Sequence, residues 1–290
     1  MQQYLVAALV ALGLMVAGGA SADAPAPAPP DKSGFTLFNP TPVADLRGFC
    51  TDRPTKSTGP CTVDAGVWQV ESDVYNYTYD SADGVATTTE LFTNPTLKLG
   101  VTNTLDLEVN IAPYEQVSVR QHGVTKTASG IGDLFLRAKW ALAGDDGGSF
   151  GLALVPFVKV PTAPLSIGNG AVEGGLVVPV QFTLSNNLQV LFDPEVDVLA
   201  DAVGSGRHAN VIDLVSLSYP ASKTVTLSAE LWGDANFDPT AGTVTQASFD
   251  LGAAWIPAKT PNFQLDGGVN LGLNSATPGV QAYVGVSHRF

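Results

Sequence analysis

The C-terminal stretch VQAYVGVSHRF, residues 280–290, alternates apolar and polar side chains up to the last residue. One face carries Val280, Ala282, Val284 and Val286. The other carries Gln281, Tyr283, Gly285, Ser287 and Arg289. This period of two predicts a β-strand with one apolar and one polar face. Because a free chain end frays unless something holds it, we expect this strand to pair with the first strand, at residues 68–79.

The same alternation recurs from Trp68 to the C-terminus. Gly, Asn, Asp or Pro separates the segments, and no amphipathic helix interrupts them. The predicted strands cover residues 68–79, 85–99, 104–119, 131–142, 150–160, 172–184, 188–199, 210–219, 224–233, 243–255, 263–273 and 279–290. The sequence therefore predicts an all-β protein of about twelve antiparallel strands.

The connections between these strands form two groups. Those after odd-numbered strands, such as RQHGVTKTASG at residues 120–130, are longer and more polar than those after even-numbered strands, such as GVTN at 100–103. Membrane β-barrels show this alternation when both chain ends lie in the periplasm, and their strand number is even. We therefore predict a single up-and-down transmembrane barrel over residues 68–290.

The composition of the two strand faces favours lipid outside the barrel and water inside it. In LDLEVN, residues 105–110, the apolar face has no charge, whereas the polar face holds Asp106, Glu108 and Asn110. A bilayer tolerates strands only when a closed ring pairs every backbone group. A secreted soluble barrel or sandwich is the alternative. NVIDLVSLSY, residues 210–219, fits less well, because apolar residues fall on both faces and Asp213 can share a face with Val211 and Val215.

Four tryptophans lie near predicted strand ends. They are Trp68, Trp140, Trp232 and Trp255. Aromatic side chains gather at the two membrane boundaries of a barrel, although packing at a turn would give the same positions. Trp232 shares a face with Glu230, so we expect it to point inward.

The N-terminal region predicts export. The apolar run at residues 5–19 precedes Ala20-Ser21-Ala22, which fits a signal peptide over residues 1–22 cleaved after Ala22; an uncleaved anchor helix is the alternative. Residues 23–67 are read as a Pro-rich linker and an irregular periplasmic extension. Cys50 and Cys61 would form a disulfide there in an oxidising compartment, and two free thiols are the alternative.

The charge of the chain limits the kinds of partner that it can bind. The net charge is −13 and the chain has no cluster of Lys and Arg, which argues against a nucleic-acid partner. Export and strands that cross a membrane together predict the outer membrane of a Gram-negative bacterium, with outer-membrane lipids as the surroundings. The sequence does not determine the oligomeric state.

One segment resembles a known family. LRGFCTDRPTKSTGPCTVDAGVWQVESDVYNYTYD, residues 46–80, is similar to the start of proteins grouped as the "putative MetA-pathway of phenol degradation" family, through Thr51-Asp52-Arg53-Pro54 and TVDAGVWQVE. The terminal strand ending in Phe290 also resembles that family. The resemblance covers the chain from about residue 35 and implies an outer-membrane transporter barrel that passes small, including aromatic, molecules. Phe290 further resembles the C-terminal signature that the barrel assembly machinery recognises, although His288 replaces the usual Tyr.

The leading functional hypothesis is a channel for small solutes through a polar, acidic lumen. The inward-facing residues proposed to line the path are Glu71, Asp73, Glu108, Arg137, Lys139, Lys159, Glu195, Glu230 and Asp266. Acidic residues outnumber basic ones on the face assigned inward, and acidic rings favour cations. We therefore predict a weak cation preference. Residues 35–67 would either enter the lumen as a plug or lie beneath it.

Two other classes of function are alternatives to a channel. A structural barrel without transport has no sequence feature against it. A lipid-modifying enzyme would need a nucleophile and a base, but Ser287 and His288 are adjacent and so face opposite sides of their strand, while His122 and His208 are expected in loops. No catalytic motif and no His or Cys cluster for a metal occurs. We therefore expect no enzyme activity, no metal site and no cofactor.

Overall fold

The computed structural model describes residues 31–290. The predicted signal peptide, residues 1–22, and the start of the linker lie outside the described residues. Residues 31–67 are irregular apart from a short 3-10 helix at Val43–Asp45. Within the described range, no helix has the length and apolarity needed to cross a membrane.

From Trp68 the described chain is built of sixteen β-strands and a 3-10 helix at Ser185–Asn187. The strands are β1 Trp68–Ala82, β2 Val85–Thr102, β3 Leu105–Asn110, β4 Glu115–Gln121, β5 Val124–Gly130, β6 Leu134–Ala143, β7 Phe150–Val160, β8 Glu173–Val177, β9 Val180–Thr183, β10 Gln189–Phe192, β11 Glu195–Ala200, β12 Arg207–Pro220, β13 Val225–Asp238, β14 Gly242–Trp255, β15 Phe263–Gly272 and β16 Val280–Arg289.

These strands form one closed antiparallel barrel with twelve strand positions. β1 pairs with β2 on one side and with β16 on the other, where Gln69 lies opposite Arg289. The predicted pairing of the last strand with the first is confirmed, as is the all-β barrel. We call the end where β1 begins and β16 ends the proximal end, and the other the distal end.

Four barrel positions are each made of two strand segments in line: β3 with β4, β5 with β6, β8 with β9, and β10 with β11. Pro113, Pro179 and Pro194 lie in three of the four gaps. Proline has no backbone N–H to give to a strand ladder, so pairing stops at these points. Single hydrogen bonds still hold the wall together there, such as Ala153 N–H to the Pro179 carbonyl at 3.1 Å.

The predicted loop at residues 120–130 is wrong. It forms a hairpin of β4 and β5, whose turn holds His122 and Gly123 at positive φ of 50° and 80°. The predicted sorting into long distal and short proximal connections also fails where the distal turns are tight, at residues 83–84, 122–123 and 239–241. Thr- and Ser-rich segments there gain pairing partners on neighbouring strands, which overrides their weak local pattern.

The faces of the strands are distributed as predicted. Val284 is 54% exposed on the outer surface, whereas Glu230 and Asp250 are 1% exposed on the inner surface. The barrel thus buries polar groups and exposes apolar ones, the reverse of a soluble protein. β12 is a regular strand that points Leu214 inward, and Asp213 lies on the outer face with Val211 and Val215, as the alternation allowed.

Three of the four tryptophans lie on the outer surface near the ends of their strands. Trp68, Trp140 and Trp255 are exposed there, in positions that suit an aromatic belt. Trp232 points into the lumen as predicted, where the Lys56 Nζ lies 4.2 Å from its ring centroid.

Candidate functional site: the lumen and its plug

A loop from the N-terminal segment fills the middle of the barrel. Cys50 and Cys61 form a disulfide, as predicted, and we call residues 50–61 the plug. Its Arg53 lies 2.7 Å from Asp266 on β15, and its Asp52 lies 2.7 Å from Lys139 on β6. The plug therefore touches both sides of the inner wall.

The predicted periplasmic extension, residues 23–67, needs correction over the plug, which lies in the lumen. The described residues on either side of the plug lie at the proximal end, where Arg47 Nη2 donates to Asn103 Oδ1 at 2.7 Å and Lys32 pairs with Asp146 at 2.8 Å. The plug therefore enters the barrel from the proximal end. Local sequence could not decide this, because insertion depends on charges carried by the wall.

One side of the wall presents two lysines to the plug. Lys98 on β2 and Lys139 on β6 are both buried and both contact the Asp52 carboxylate. Glu71 lies 2.7 Å from Lys98, and Glu108 lies 3.6 Å and 3.5 Å from the two lysines. Buried ions need close partners of opposite charge, and this cluster supplies them.

The two lysines set the ionisation of Asp52. Burial by itself raises the pKa of this carboxyl, but the charges and hydrogen bonds of Lys139 and Lys98 outweigh burial and hold the pKa below its usual value. Asp52 is therefore ionised throughout the neutral range, and its bond to the wall is charge-assisted.

The other side of the wall is acidic and receives the plug's cations. Arg53 donates through Nε and Nη2 to Asp266 Oδ1, at 3.1 Å and 2.7 Å, and through Nη1 to Asp73 at 2.6 Å. Lys56 donates to Ser248 Oγ at 2.6 Å and lies 3.1 Å from Asp250. On each side of the lumen, the plug therefore presents charges opposite to those of the wall.

Wall carboxylates also accept backbone N–H groups of the plug. The N–H of Asp52 donates to Glu71, that of Lys56 to Glu230 and that of Thr58 to Asp193, at 3.0 Å, 2.9 Å and 2.6 Å. A buried backbone donor without a partner is costly. The wall carboxylates therefore satisfy backbone donors of this irregular loop, as the carbonyl groups of a neighbouring strand would in a sheet.

Glycines in the wall make room for the plug. A Cβ at Gly285 would lie 2.0 Å from Arg53 Nη2, and a Cβ at Gly252 would lie 2.8 Å from Pro54 Cγ. Both distances are far below a normal contact between heavy atoms. Side chains at these positions would displace the plug or be displaced by it.

The structure brings five of the nine predicted path residues into direct contact with the plug. These are Glu71, Asp73, Lys139, Glu230 and Asp266. Glu108 acts on the plug through the two lysines. Arg137 lies over the Phe135 ring, 5.3 Å from its centroid, and lines the space beside Asp52.

The two remaining predicted residues lie away from the plug. Lys159 pairs with Glu173 at 2.7 Å and Asp133 at 3.2 Å, toward the distal end. Glu195 lies on β11, two positions before Asp197. The sequence assignment missed the plug's own Asp52, Arg53 and Lys56. Their one sequence signal is three charges inside a short loop closed by two cysteines.

Two cavities flank the plug. One of about 550 Å³ lies at the proximal end, between the plug and turn residues such as Gly144, Lys223 and Ile256. The other, of about 250 Å³, lies between Lys56 at the tip of the plug and the distal residues Thr277 and Pro278. The lumen is therefore divided by the plug, with open space on each side.

A group that the sequence did not bring together lies at the distal end. Ligand-type atoms of Asp201, His208 and Asp238 lie within 4.8 Å of one another. His208, expected in a loop, is on β12 and its Nδ1 is 2.9 Å from Asp201 Oδ1. Asp238 accepts the N–H groups of Ala202 and Thr240. These hydrogen bonds hold Asp201 and Asp238, whereas His208 Nε2 is buried without a hydrogen-bond partner in the part of the chain that the structure describes.

The last residues close the wall. Ser287 is fully buried in the lumen and His288 points outward, so the two are not within reach of each other, as predicted. Phe290 donates its backbone N–H to the Trp68 carbonyl at 2.9 Å, and its exposed ring packs against His288 with centroids 4.6 Å apart.

Several solved structures are similar to this chain. The COG4313 outer membrane channel from Pseudomonas putida F1 gives a TM-score of 0.65 at 16% identity, covering 82% of this chain and 100% of that chain. The NanC porin gives 0.47 at 11% identity, with 77% and 98% covered. The translocator domain of autotransporter NalP from Neisseria meningitidis gives 0.48 at 14% identity, with 81% and 90% covered. The first of these shares the fold of this chain.

No curated protein matches the chain in sequence. A family profile does match, and it spans the plug and the whole barrel, from residue 51 to residue 290. This match agrees with the resemblance seen in the Thr51-Asp52-Arg53-Pro54 segment. The chain belongs to the family described as "Putative MetA-pathway of phenol degradation".

Proposed function

We propose that this protein is an outer-membrane channel for small solutes, with its proximal end in the periplasm and its distal end outside the cell. The apolar outer surface and the closed ring of strands suit a bilayer. The shared fold with an outer membrane channel supports the same role. The surrounding lipids and the barrel assembly machinery are the partners that this location implies.

The observation that carries the proposal is the divided lumen. In barrels of about eight strands, wall side chains fill the interior. Here a separate loop fills it, and ion pairs and hydrogen bonds hold that loop between two cavities. A purely structural barrel would have no need of a separate loop that divides its lumen into two cavities. The plug would set the width of the path, and a shift of the plug would join the two cavities.

The charges of the lumen support a weak preference for cations. The plug's cations neutralise Asp73, Asp250 and Asp266 only in part, and Glu195 and Asp197 lie together nearer the distal end. Acidic linings favour cations and disfavour anions. We expect a planar-bilayer reversal potential on the cation side, and anion selectivity would contradict this part of the proposal.

The solutes are proposed as small molecules, with aromatic compounds among them on the ground of the family description alone. The first experiment is liposome swelling with sugars, amino acids and aromatic acids, using the purified full chain. Swelling faster than in protein-free liposomes supports a channel. No swelling with any solute, together with no single-channel current, would favour a structural barrel.

Removal of the plug provides the second test. A chain lacking residues 35–67 should conduct several times more than the full chain, because the space that the plug fills becomes free. Correct assembly is checked by resistance of the barrel to unfolding in cold detergent. Unchanged conductance in an assembled barrel would contradict the role of the plug.

A further inference from the structure

The distal cavity combines an aromatic ring, several neutral polar side chains and one cation. It is lined by Lys56, Trp232, Gln246, Ser248, Asn270 and Gln281. Its volume of about 250 Å³ lies just below the range of roughly 300–1,000 Å³ usual for drug-sized ligands. A single small ring would fit such a space.

The polar side chains around the cavity are held in fixed positions. Asn270 Nδ2 donates to Gln281 Oε1 at 2.7 Å, and Gln281 Nε2 donates to Asn76 Oδ1 at 3.0 Å. Each amide carries two N–H donors and an oxygen with two lone pairs. Asn270 and Gln281 each make two bonds, counting the Tyr283 hydroxyl that donates to Asn270 Oδ1 at 3.4 Å, and each keeps one N–H for a ligand. A preorganised lining of this kind lowers the entropic cost of binding.

Lys56 joins the plug to this lining. Its Nζ is directed to Ser248 Oγ at 2.6 Å and to Asp250 at 3.1 Å, and its side chain is 27% exposed. The same Nζ lies 4.2 Å from the Trp232 ring centroid, so Lys56 covers one face of the indole that lines the cavity. Because Asp250 balances the charge of Lys56, the cavity has no excess positive charge to favour an anion.

These features distinguish among classes of ligand. Hydroxyl groups both donate and accept, so they match side-chain amides, and the C–H face of a saturated ring packs well against indole. A ligand with a single hydroxyl could pair with only one or two of the amide donors and acceptors that remain, whereas several hydroxyl groups could pair with more of them. A carboxylate would approach Asp250 and Glu230. The lining therefore favours a neutral ring with several hydroxyl groups.

We propose that the distal cavity is a binding subsite for a neutral polyhydroxylated ring of monosaccharide size, formed jointly by the wall and by Lys56 of the plug. This inference deepens the proposed channel function by naming a class of solute. Since binding can be measured in detergent without transport, failure of one proposal leaves the other testable.

The test is isothermal titration calorimetry of the full chain in detergent micelles with glucose, galactose, mannose, phenol and benzoate. We expect at least one of the three sugars to bind roughly tenfold or more tightly than phenol or benzoate. No binding of any of the three sugars would overturn the proposal. Equal or tighter binding of phenol or benzoate would also overturn it.

Matched variants assign the binding to this cavity. Trp232→Leu and Gln281→Leu should each weaken sugar binding about tenfold, whereas Trp255→Leu, on the outer surface, should leave it unchanged. Ser248→Ala removes one oxygen at little risk to folding and should weaken binding several-fold. Far-UV circular dichroism checks that each variant is folded. Unchanged binding in folded Trp232→Leu, Gln281→Leu and Ser248→Ala chains would show that the sugar binds elsewhere.

Discussion

At the scale of single residues, a few side chains decide whether the plug stays in place. Asp52 connects it to the lysines of one wall, and Arg53 connects it to the carboxylates of the other. Gly285 has no side chain where the Arg53 guanidinium lies against the wall. Charge and the absence of a Cβ therefore act together at the same contact.

Replacing Gly285 should open the channel. In Gly285→Leu the new side chain occupies the space of the Arg53 guanidinium, so the plug is expelled or held loosely. We expect conductance to rise several-fold in planar bilayers. Val284→Leu, on the outer face of the same strand, is the control and should behave as wild type. A folded Gly285→Leu barrel with wild-type conductance would show that the plug adapts without moving.

Asp52 should stay ionised across the neutral pH range, so its contribution to holding the plug should not depend on pH there. Its pKa is lowered, so the stability it adds is present above the ordinary carboxyl range near pH 4 and is lost only as pH falls below it. Asp52 should therefore keep its contact with the two lysines between pH 8 and pH 5, and the ratio of the Asp52→Asn conductance to the wild-type conductance should be constant over that range. Asp52→Asn removes the charge at every pH and should raise conductance, with Asp45→Asn, exposed outside the lumen, as control. A difference between Asp52→Asn and wild type that disappears between pH 6 and pH 5 would argue against this assignment.

At the scale of elements, the plug is a short irregular loop that a disulfide closes. On the chain-entropy model, closing a loop of this size stabilises it by about 3 kcal/mol. That restraint lets an irregular loop present Asp52, Arg53 and Lys56 to the wall in one arrangement. Proline residues between strand segments are a second local feature of this kind. Each interrupts the hydrogen-bond ladder at a defined point in the wall.

Breaking the disulfide should loosen the plug without unfolding the barrel. A Cys50→Ser/Cys61→Ser chain should show larger and more variable single-channel currents than wild type. Treating wild type with a reductant that reaches the lumen should reproduce this behaviour, and the serine variant should not respond to the reductant. Identical, steady currents in all four conditions would mean that the wall contacts alone fix the loop.

At the scale of the whole molecule, the barrel closes between its first and last strands. Phe290 lies at this seam, with its N–H bonded to the Trp68 carbonyl and its ring on the outer surface. The seam forms last in any order of folding that follows the chain. A residue at this place is well suited to recognition during assembly.

Deleting Phe290 should impair insertion into the outer membrane while export continues. We expect the deletion variant to accumulate in the periplasm, measured by fractionation and by the loss of heat-modifiable migration in gels. Phe150→Ala, an exposed aromatic change at the same end of the barrel, is the control and should assemble normally. Normal assembly without Phe290 would remove its proposed role as a signal.

The sequence by itself determined the number of strand positions around the barrel and the two faces of the strands, because alternation along a strand is a local property that a single segment displays. Glu230 and Asp250 could be placed in the lumen from their neighbours alone. The disulfide and the inward direction of Trp232 could also be predicted from the sequence. The hairpin at residues 115–130 was not, since its Thr- and Ser-rich segments become strands only by pairing with each other.

Only the tertiary structure decided where the plug lies. Arg53 and Asp266 are 213 positions apart in the chain, and no local pattern relates them. Their meeting depends on closure of the barrel, which brings walls of opposite charge to face the same narrow space. Asp201, His208 and Asp238 meet for a different reason, because β11, β12 and β13 pair as neighbours and bring these residues together at the distal end. Charge pairing across a closed ring is a property of the assembled molecule, so the sequence supplied the groups and the fold selected their partners.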